Sequence, residues 1–127
     1  MSALLLDLLL PADCAGCGAP HGQLCADCRA LLAGLHGRPA DPRAAPPGLP
    51  PLYSCADYRD PLRPLLIAHK ERGALPLATP LGAVLATAVR AALAAELRAP
   101  LPAGRPLLLV PVPSSRRAVR ARGHDAT

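Results

Sequence analysis

Apolar residues recur at helical spacing in three segments of the chain, 27–35, 60–72 and 79–98. Gly34 and Gly37 follow the apolar residues of the first segment, and we expect them to end it. Pro100 and Pro102 stop the third segment, because proline cannot continue a helix. The sequence therefore predicts three helices, of which the last is the longest.

The second and third helices are each predicted to begin at an N-cap residue followed by proline. Asp60-Pro61 and Thr79-Pro80 place a side-chain acceptor at the N-cap and a proline at the first helical position. Lys70–Gly73 closes the second helix with cations and then a glycine. The apolar stripe of the third helix is expected to contain Leu81, Val84, Leu85, Ala88, Ala92 and Leu93.

Two other segments have the composition of strands. Leu52–Tyr58 contains two tyrosines and Cys55, which we expect to be a small buried residue and not a metal ligand. Leu107–Val110 is a continuous apolar run between prolines, which is typical of a central parallel strand covered on both faces. The order strand, helices, strand predicts an α/β sheet.

Sixteen residues with six prolines and no apolar period separate the two ends of the chain. This segment, 36–51, is predicted to be a semi-rigid, extended linker. We expect an N-terminal module in 1–35 and a second domain in 52–127. The leucines of 1–10 are too few to span a bilayer and lack a preceding basic residue, so we expect a short helix packed on the module and a cytoplasmic protein without a membrane span.

Composition limits both the core and the partners. Apolar residues make up 51% of the 127 residues, without Trp or Phe, so any core is aliphatic. The net charge of +5 favours a polyanionic partner only weakly. Four arginines cluster late in the chain, Arg116, Arg117, Arg120 and Arg122. They could contact a polyanionic partner, and the alternative is a basic surface that contacts only solvent.

Four cysteines form two C-x2-C pairs within fifteen residues, Cys14 with Cys17 and Cys25 with Cys28. Two such pairs suit a tetrahedral thiolate site for zinc, and four protein ligands leave no open position for catalysis. Two disulfides are an alternative, but they need an oxidising compartment. A redox pair is another, but the βαβ pattern that accompanies such motifs is missing here.

The predicted last strand leads into a segment that can hold phosphate. Ser114, Ser115 and Arg116 follow Val110 after three further residues, and ligands of open α/β sheets bind at the carboxyl ends of strands. Hydroxyls, guanidinium groups and loop amides all bind phosphate oxygens. The basic segment that follows is expected to be mobile.

Taken in order, these motifs resemble the ComF family, phosphoribosyltransferase-like proteins associated with competence and DNA uptake. The resemblance covers essentially the whole chain, and its motifs are the two cysteine pairs, Tyr58–Pro61, Lys70–Gly73, Val110–Pro113 and Arg120–Asp125. It implies a zinc ribbon, structural in role, before a type I phosphoribosyltransferase fold.

The resemblance also implies site residues. Ser114, Ser115 and Arg116 fall where such enzymes contact the pyrophosphate of phosphoribosyl pyrophosphate. In an active full-length protein, Mg²⁺ would bridge the pyrophosphate oxygens. A flexible loop that closes over the substrate would contain Arg120, Arg122, Gly123 and His124. Lys70 and Gly73 match a K-x-x-G motif of the family. The resemblance does not assign a role to these two residues.

One departure from the family is large. The acidic pair and the Thr- and Gly-rich turn that hold the 5-phosphate lie downstream in the family and have no counterpart in this sequence. We therefore expect an N-terminal fragment with an incomplete parallel sheet, inactive in phosphoribosyl transfer. The alternative is a non-catalytic adaptor, whose zinc ribbon and basic end contact single-stranded DNA or a competence helicase.

Overall fold

A computed structural model describes residues 13–20, 22–96 and 106–126. The fold combines helices with a small two-stranded sheet. Its elements are α1 (Ala26–Ala33), β1 (Arg38–Ala40), β2 (Leu52–Ser54), α2 (Leu62–Glu71), a 3-10 helix (Leu75–Leu77), α3 (Ala78–Glu96) and α4 (Arg116–Arg122). The predicted helix in 1–10 and the predicted helix end near Arg98 lie outside the described residues.

The sheet is antiparallel, which differs from the parallel sheet that the sequence predicts. Pro39 of β1 stands opposite Tyr53 of β2, and Arg38 stands opposite Ser54. β1 lies inside the segment 36–51, so the first part of the predicted linker is paired structure. β2 ends at Ser54, four residues earlier than predicted, because its partner is only three residues long.

The predicted helix at Asp60-Pro61 exists as α2, but its start differs from the prediction. Pro61 occupies the cap position, and no side chain caps the helix. Asp60 pairs with Arg63 at 3.3 Å instead of accepting from the first backbone amides. The end follows the prediction, with His69 and Lys70 in the last turn and Gly73 at a φ of +69°.

α3 begins one residue before Thr79, directly after the 3-10 helix. Val84 and Ala88 of its predicted apolar stripe are buried, whereas Leu85 is 63% exposed. The stripe that faces the core is therefore narrower than predicted. Leu85 lies on the outer side of the helix. The sequence did not indicate this, because the many alanines make several faces of the helix equally apolar.

The core is aliphatic and lies between the helices. Its buried residues come from α1, α2, the 3-10 helix and α3, so that the first helix shares one core with the later ones; they are Leu32, Leu65, Ala68, Leu77 and Val84. Leu65 is fully buried. The cysteine pairs are therefore attached to the main core through the helix that follows them.

The predicted strand Leu107–Val110 is wrong. These residues form no strand, and their side chains are 48% to 85% exposed. A continuous apolar run indicates a buried strand only if neighbouring strands are present to pair with it. Among the described residues the sheet has two strands, and neither pairs with this run.

Only one helical stretch in the described part of the chain, Leu75–Glu96, is long and apolar enough by composition to cross a membrane. Eighteen consecutive residues of this stretch have a mean hydropathy of 1.6, and 17% of those residues are buried in the fold. A single helix of this kind is weak evidence for a membrane span, because core helices of soluble proteins can be equally long and apolar. The cytoplasmic location stays a prediction.

Candidate functional site

The four cysteine side chains converge on one point, as the two C-x2-C pairs predict. The Sγ atoms of Cys14, Cys17, Cys25 and Cys28 all lie within 4.8 Å of one another. A tetrahedron of thiolates around zinc, with bonds of about 2.3 Å, has sulfur atoms about 3.8 Å apart. The cluster therefore has the size and the donor atoms to hold a metal ion such as zinc.

A tight turn positions the first cysteine pair. The Gly18 amide donates to the Cys14 carbonyl at 2.8 Å, and the Cys14 amide donates to the Ala19 carbonyl at 2.7 Å. The turn needs Gly18 at a φ of +76°, a conformation that glycine adopts at little cost. It brings the buried Cys14 and the exposed Cys17 to the same side of the loop.

The second pair begins α1. Cys25 is the N-cap residue, and its Sγ accepts from the Cys28 amide at 3.4 Å. The Cys25 amide donates to Cys14 Sγ, also at 3.4 Å, which joins the two pairs. Amides and the positive end of a helix both stabilise thiolates, so this end of α1 suits an anionic sulfur cluster.

The pKa values of the thiols differ strongly within the cluster. Burial raises the pKa of Cys14, but amides of Cys25, Cys17 and Gly16 outweigh it and leave the pKa at about 6. Burial, followed by hydrogen bonds from the other three thiols, raises the pKa of Cys28 well above its usual range. A fully thiolate cluster thus needs a cation to offset the repulsion among its sulfurs.

The distances do not fit disulfides. All five cysteines are free, and the Cys17 and Cys25 Sγ atoms are 3.6 Å apart, against about 2.05 Å in a disulfide. Cys55 lies outside the cluster, and its thiol donates to the Val84 carbonyl at 3.0 Å. It is half-buried, close to its predicted role as a small buried residue.

Gly16 is a residue of this site that the sequence analysis missed. A Cβ atom there would lie 2.9 Å from Cys28 Sγ and 3.2 Å from Leu65 Cγ. Gly16 therefore lies between the cluster and the core, at a point where a side chain would crowd both. In the sequence, the glycine inside the first C-x2-C pair is the only indication of this close approach.

A second candidate site is an open cleft of about 590 Å³ between the end of α2 and the start of α4. Lys70 and Glu71 line one side, and Ser114, Ser115 and Arg122 line the other. Arg122 Nη1 donates to Glu71 Oε1 at 3.2 Å, and Nη2 donates to Ser114 Oγ at 3.1 Å. Segments that are more than forty residues apart in the sequence therefore meet here.

The predicted phosphate residues are brought together only in part. Ser114 and Ser115 line the cleft, and Ser115 Oγ also caps α4 by accepting from the Ala118 amide at 3.2 Å. Arg116 begins α4, is exposed and does not line the cleft. Its contact with pyrophosphate stays a prediction, without support from its position.

The segment predicted as a flexible loop is helical. Arg120 and Arg122 belong to α4, Gly123 ends the helix at a φ of +77°, and His124 Nε2 lies 3.4 Å from the His69 carbonyl. A serine cap, strong helix formers and a C-terminal glycine explain why this short segment is a helix. Arg122 faces the cleft, whereas Arg120 is exposed.

Glu71 is the residue of the cleft that sequence reasoning missed. It forms an ion pair with Arg122, whose side chain is only 10% exposed. The Nε atom of Arg122 is buried without a hydrogen-bond partner. No local pattern links residues 51 positions apart, so only the fold reveals this pair.

Comparisons of the chain with models of known protein families, with curated proteins and with solved structures found no match. The sequence motifs and the geometry of the two sites therefore carry the functional argument.

Proposed function

We propose that the four cysteines bind one zinc ion with a structural role. The single observation that carries this proposal is the convergence of all four Sγ atoms within 4.8 Å. Four protein ligands fill the tetrahedron that zinc prefers, which leaves no position for a reacting water. The ion would hold the first turn and the start of α1 against the core at Leu65.

Metal content and stability test this role together. We expect one zinc per chain after purification without chelator, and a loss of several kcal/mol of folding free energy when a strong chelator removes it. Cys17→Ser should lose most of the metal, whereas Cys55→Ser, which changes a cysteine outside the cluster, should retain it. Equal metal content in the two variants would contradict the assignment.

We further propose that the cleft binds a phosphorylated ligand of the kind that the ComF resemblance implies, phosphoribosyl pyrophosphate with Mg²⁺. The support is that Lys70, the lysine of the K-x-x-G motif, lines one cleft with Ser114 and Ser115. Two hydroxyls, an ammonium group and a guanidinium group suit phosphate oxygens. Residues of this chain would bind and orient the ligand, and Mg²⁺ would neutralise charge on its pyrophosphate.

Calorimetry with phosphoribosyl pyrophosphate and Mg²⁺ tests the cleft. Ser114→Ala should weaken binding about tenfold, because it removes one of the two cleft hydroxyls that would donate to phosphate oxygens. Ser54→Ala, which changes a serine of β2, is the matched control and should bind as the unchanged chain does. An absence of binding heat at millimolar ligand would refute this part of the proposal.

A second candidate is an adaptor that binds single-stranded DNA or a competence helicase. The observation in its favour is that Arg116, Arg117 and Arg120 are exposed on α4. Against it, the chain has only two aromatic residues for base stacking, which supplies much of single-strand affinity. A steep dependence of DNA affinity on salt, lost when the three arginines become glutamine, would favour the adaptor.

A further inference from the structure

We infer that the Glu71–Arg122 ion pair is an autoinhibitory contact, in which Glu71 pairs with the largely covered side chain of Arg122 until an anionic ligand displaces it. The inference rests on the proposed binding of phosphate in this cleft. It concerns how access to the site is regulated.

Arg122 is held in a state that leaves part of its hydrogen-bonding capacity unused. Its side chain is 10% exposed, Nη1 and Nη2 each have one acceptor, and Nε is buried with none. A buried donor without an acceptor is costly, and a guanidinium group has five N–H donors. A phosphate group offers three oxygens, more acceptor sites than the single carboxylate oxygen that Glu71 supplies.

Glu71 can leave at a small cost. Its side chain is 50% exposed, so the carboxylate regains water when it turns away from Arg122. Lys70, its neighbour, lines the same cleft. With Glu71 withdrawn, the cleft presents two cationic side chains to an anion, whereas the paired state cancels the charge of one of them.

α4 is attached in a way that permits this exchange. The helix contributes no buried residue to the core. It is joined to α2 by Arg122 with Glu71. Just beyond its end, His124 lies against the His69 carbonyl, and the Ala126 carbonyl lies 3.2 Å from His69 Nε2. Elements with few buried apolar contacts open at a low free-energy cost, so a ligand can reposition α4 without disturbing the core.

The test compares two variants that remove one negative charge each. Glu71→Gln removes the competing carboxylate, and Asp60→Asn removes an exposed carboxylate paired with Arg63 at the other end of α2. We expect inorganic pyrophosphate, titrated calorimetrically at fixed ionic strength, to bind Glu71→Gln about fivefold more tightly than the unchanged chain. Asp60→Asn should bind as the unchanged chain does.

The outcomes separate this inference from the proposed function. Binding to the unchanged chain without a gain in Glu71→Gln, or with an equal gain in Asp60→Asn, would overturn the autoinhibitory contact alone. An absence of binding to every variant would overturn the phosphate site and the inference together. Hydrogen exchange gives a second readout, because the amides of α4 should exchange faster in Glu71→Gln than in Asp60→Asn.

Discussion

Single atoms decide how the cysteine cluster meets the core. At Gly16 a methyl group would collide with Cys28 Sγ on one side and crowd the fully buried Leu65 on the other. The cysteines themselves could be predicted from their spacing alone, because both pairs are local in sequence. The contact through Gly16 could not, because it depends on α2, which begins more than forty residues later.

Gly16→Ala should weaken metal binding about tenfold, because the added Cβ displaces Cys28 Sγ from the tetrahedron. Competition between the protein and a chromophoric chelator measures the affinity. Gly34→Ala is the matched control, since a Cβ there has no neighbour closer than 3.5 Å. Equal affinities for the two variants would mean that the cluster adapts to the methyl group.

Tyr53 gives a prediction that does not involve the metal. Its hydroxyl donates to Glu96 Oε1 at 2.8 Å, and this bond raises the pKa of Tyr53 above its usual value of about 10. The bond therefore stabilises the fold at pH values below the usual pKa of tyrosine. This contribution is lost as the pH rises through the raised pKa of Tyr53.

In a Tyr58→Phe background, Tyr53 is the sole tyrosine, and absorbance follows its titration directly. Glu96→Gln should lower the titration midpoint, because the neutral amide no longer penalises the phenolate. Asp57→Asn, which removes a carboxylate paired with Arg38, should leave the midpoint unchanged. A midpoint that Glu96→Gln does not move would show that the bond is absent in solution.

At the scale of elements, helices followed from the sequence better than strands did. A local pattern of apolar residues predicts each of α1, α2 and α3, although the first residue of each helix differs from the prediction by one or two positions. Strands need partners, and pairing is not local. For this reason Leu107–Val110 was predicted wrongly, and β1 was missed within a proline-rich segment.

The approach of β1 to α3 depends on Gly37, where a Cβ would overlap the backbone of Thr87 and Ala88. Gly37→Ala should therefore destabilise the fold by about 2 kcal/mol or more, because backbone cannot move aside as a side chain does. Gly82→Ala, in the open on α3, should stabilise it by about 0.5–1 kcal/mol. Denaturant unfolding measures both, and a similar change in both would argue against the close packing.

At the scale of the whole molecule, the two candidate sites lie at opposite ends of the sequence and both involve α2. Leu65 packs beside Gly16 of the first cysteine pair, and Lys70 and Glu71 border the cleft. The sequence singled out Ser114 and Ser115, which line the cleft, but their contact with phosphate stays a prediction. Glu71 could not be predicted as a residue of the cleft, because its ion pair with Arg122 forms only when α4 is folded against α2.

Leu65→Ala tests whether the core supports the metal site. Truncating this fully buried side chain should lower the free energy of unfolding by about 3 kcal/mol. It should also weaken zinc binding, because Gly16 and the cysteine cluster beside it would no longer pack against Leu65. Leu85→Ala, at a side chain that is 63% exposed, should change neither quantity appreciably. Loss of stability with unchanged zinc affinity would mean that the cluster and the core are independent.

Cys25 caps α1, and its sulfur belongs to the cluster that could hold a metal ion. In the proposed zinc complex, winding of the first helical turn and capture of the ion would therefore depend on the same side chain, and deleting it would remove both. Serine at this position would keep an acceptor for the Cys28 amide and give up the soft donor. The difference between serine and alanine variants thus measures how much of the order in α1 belongs to the cap, and the difference between cysteine and serine measures how much belongs to the ion.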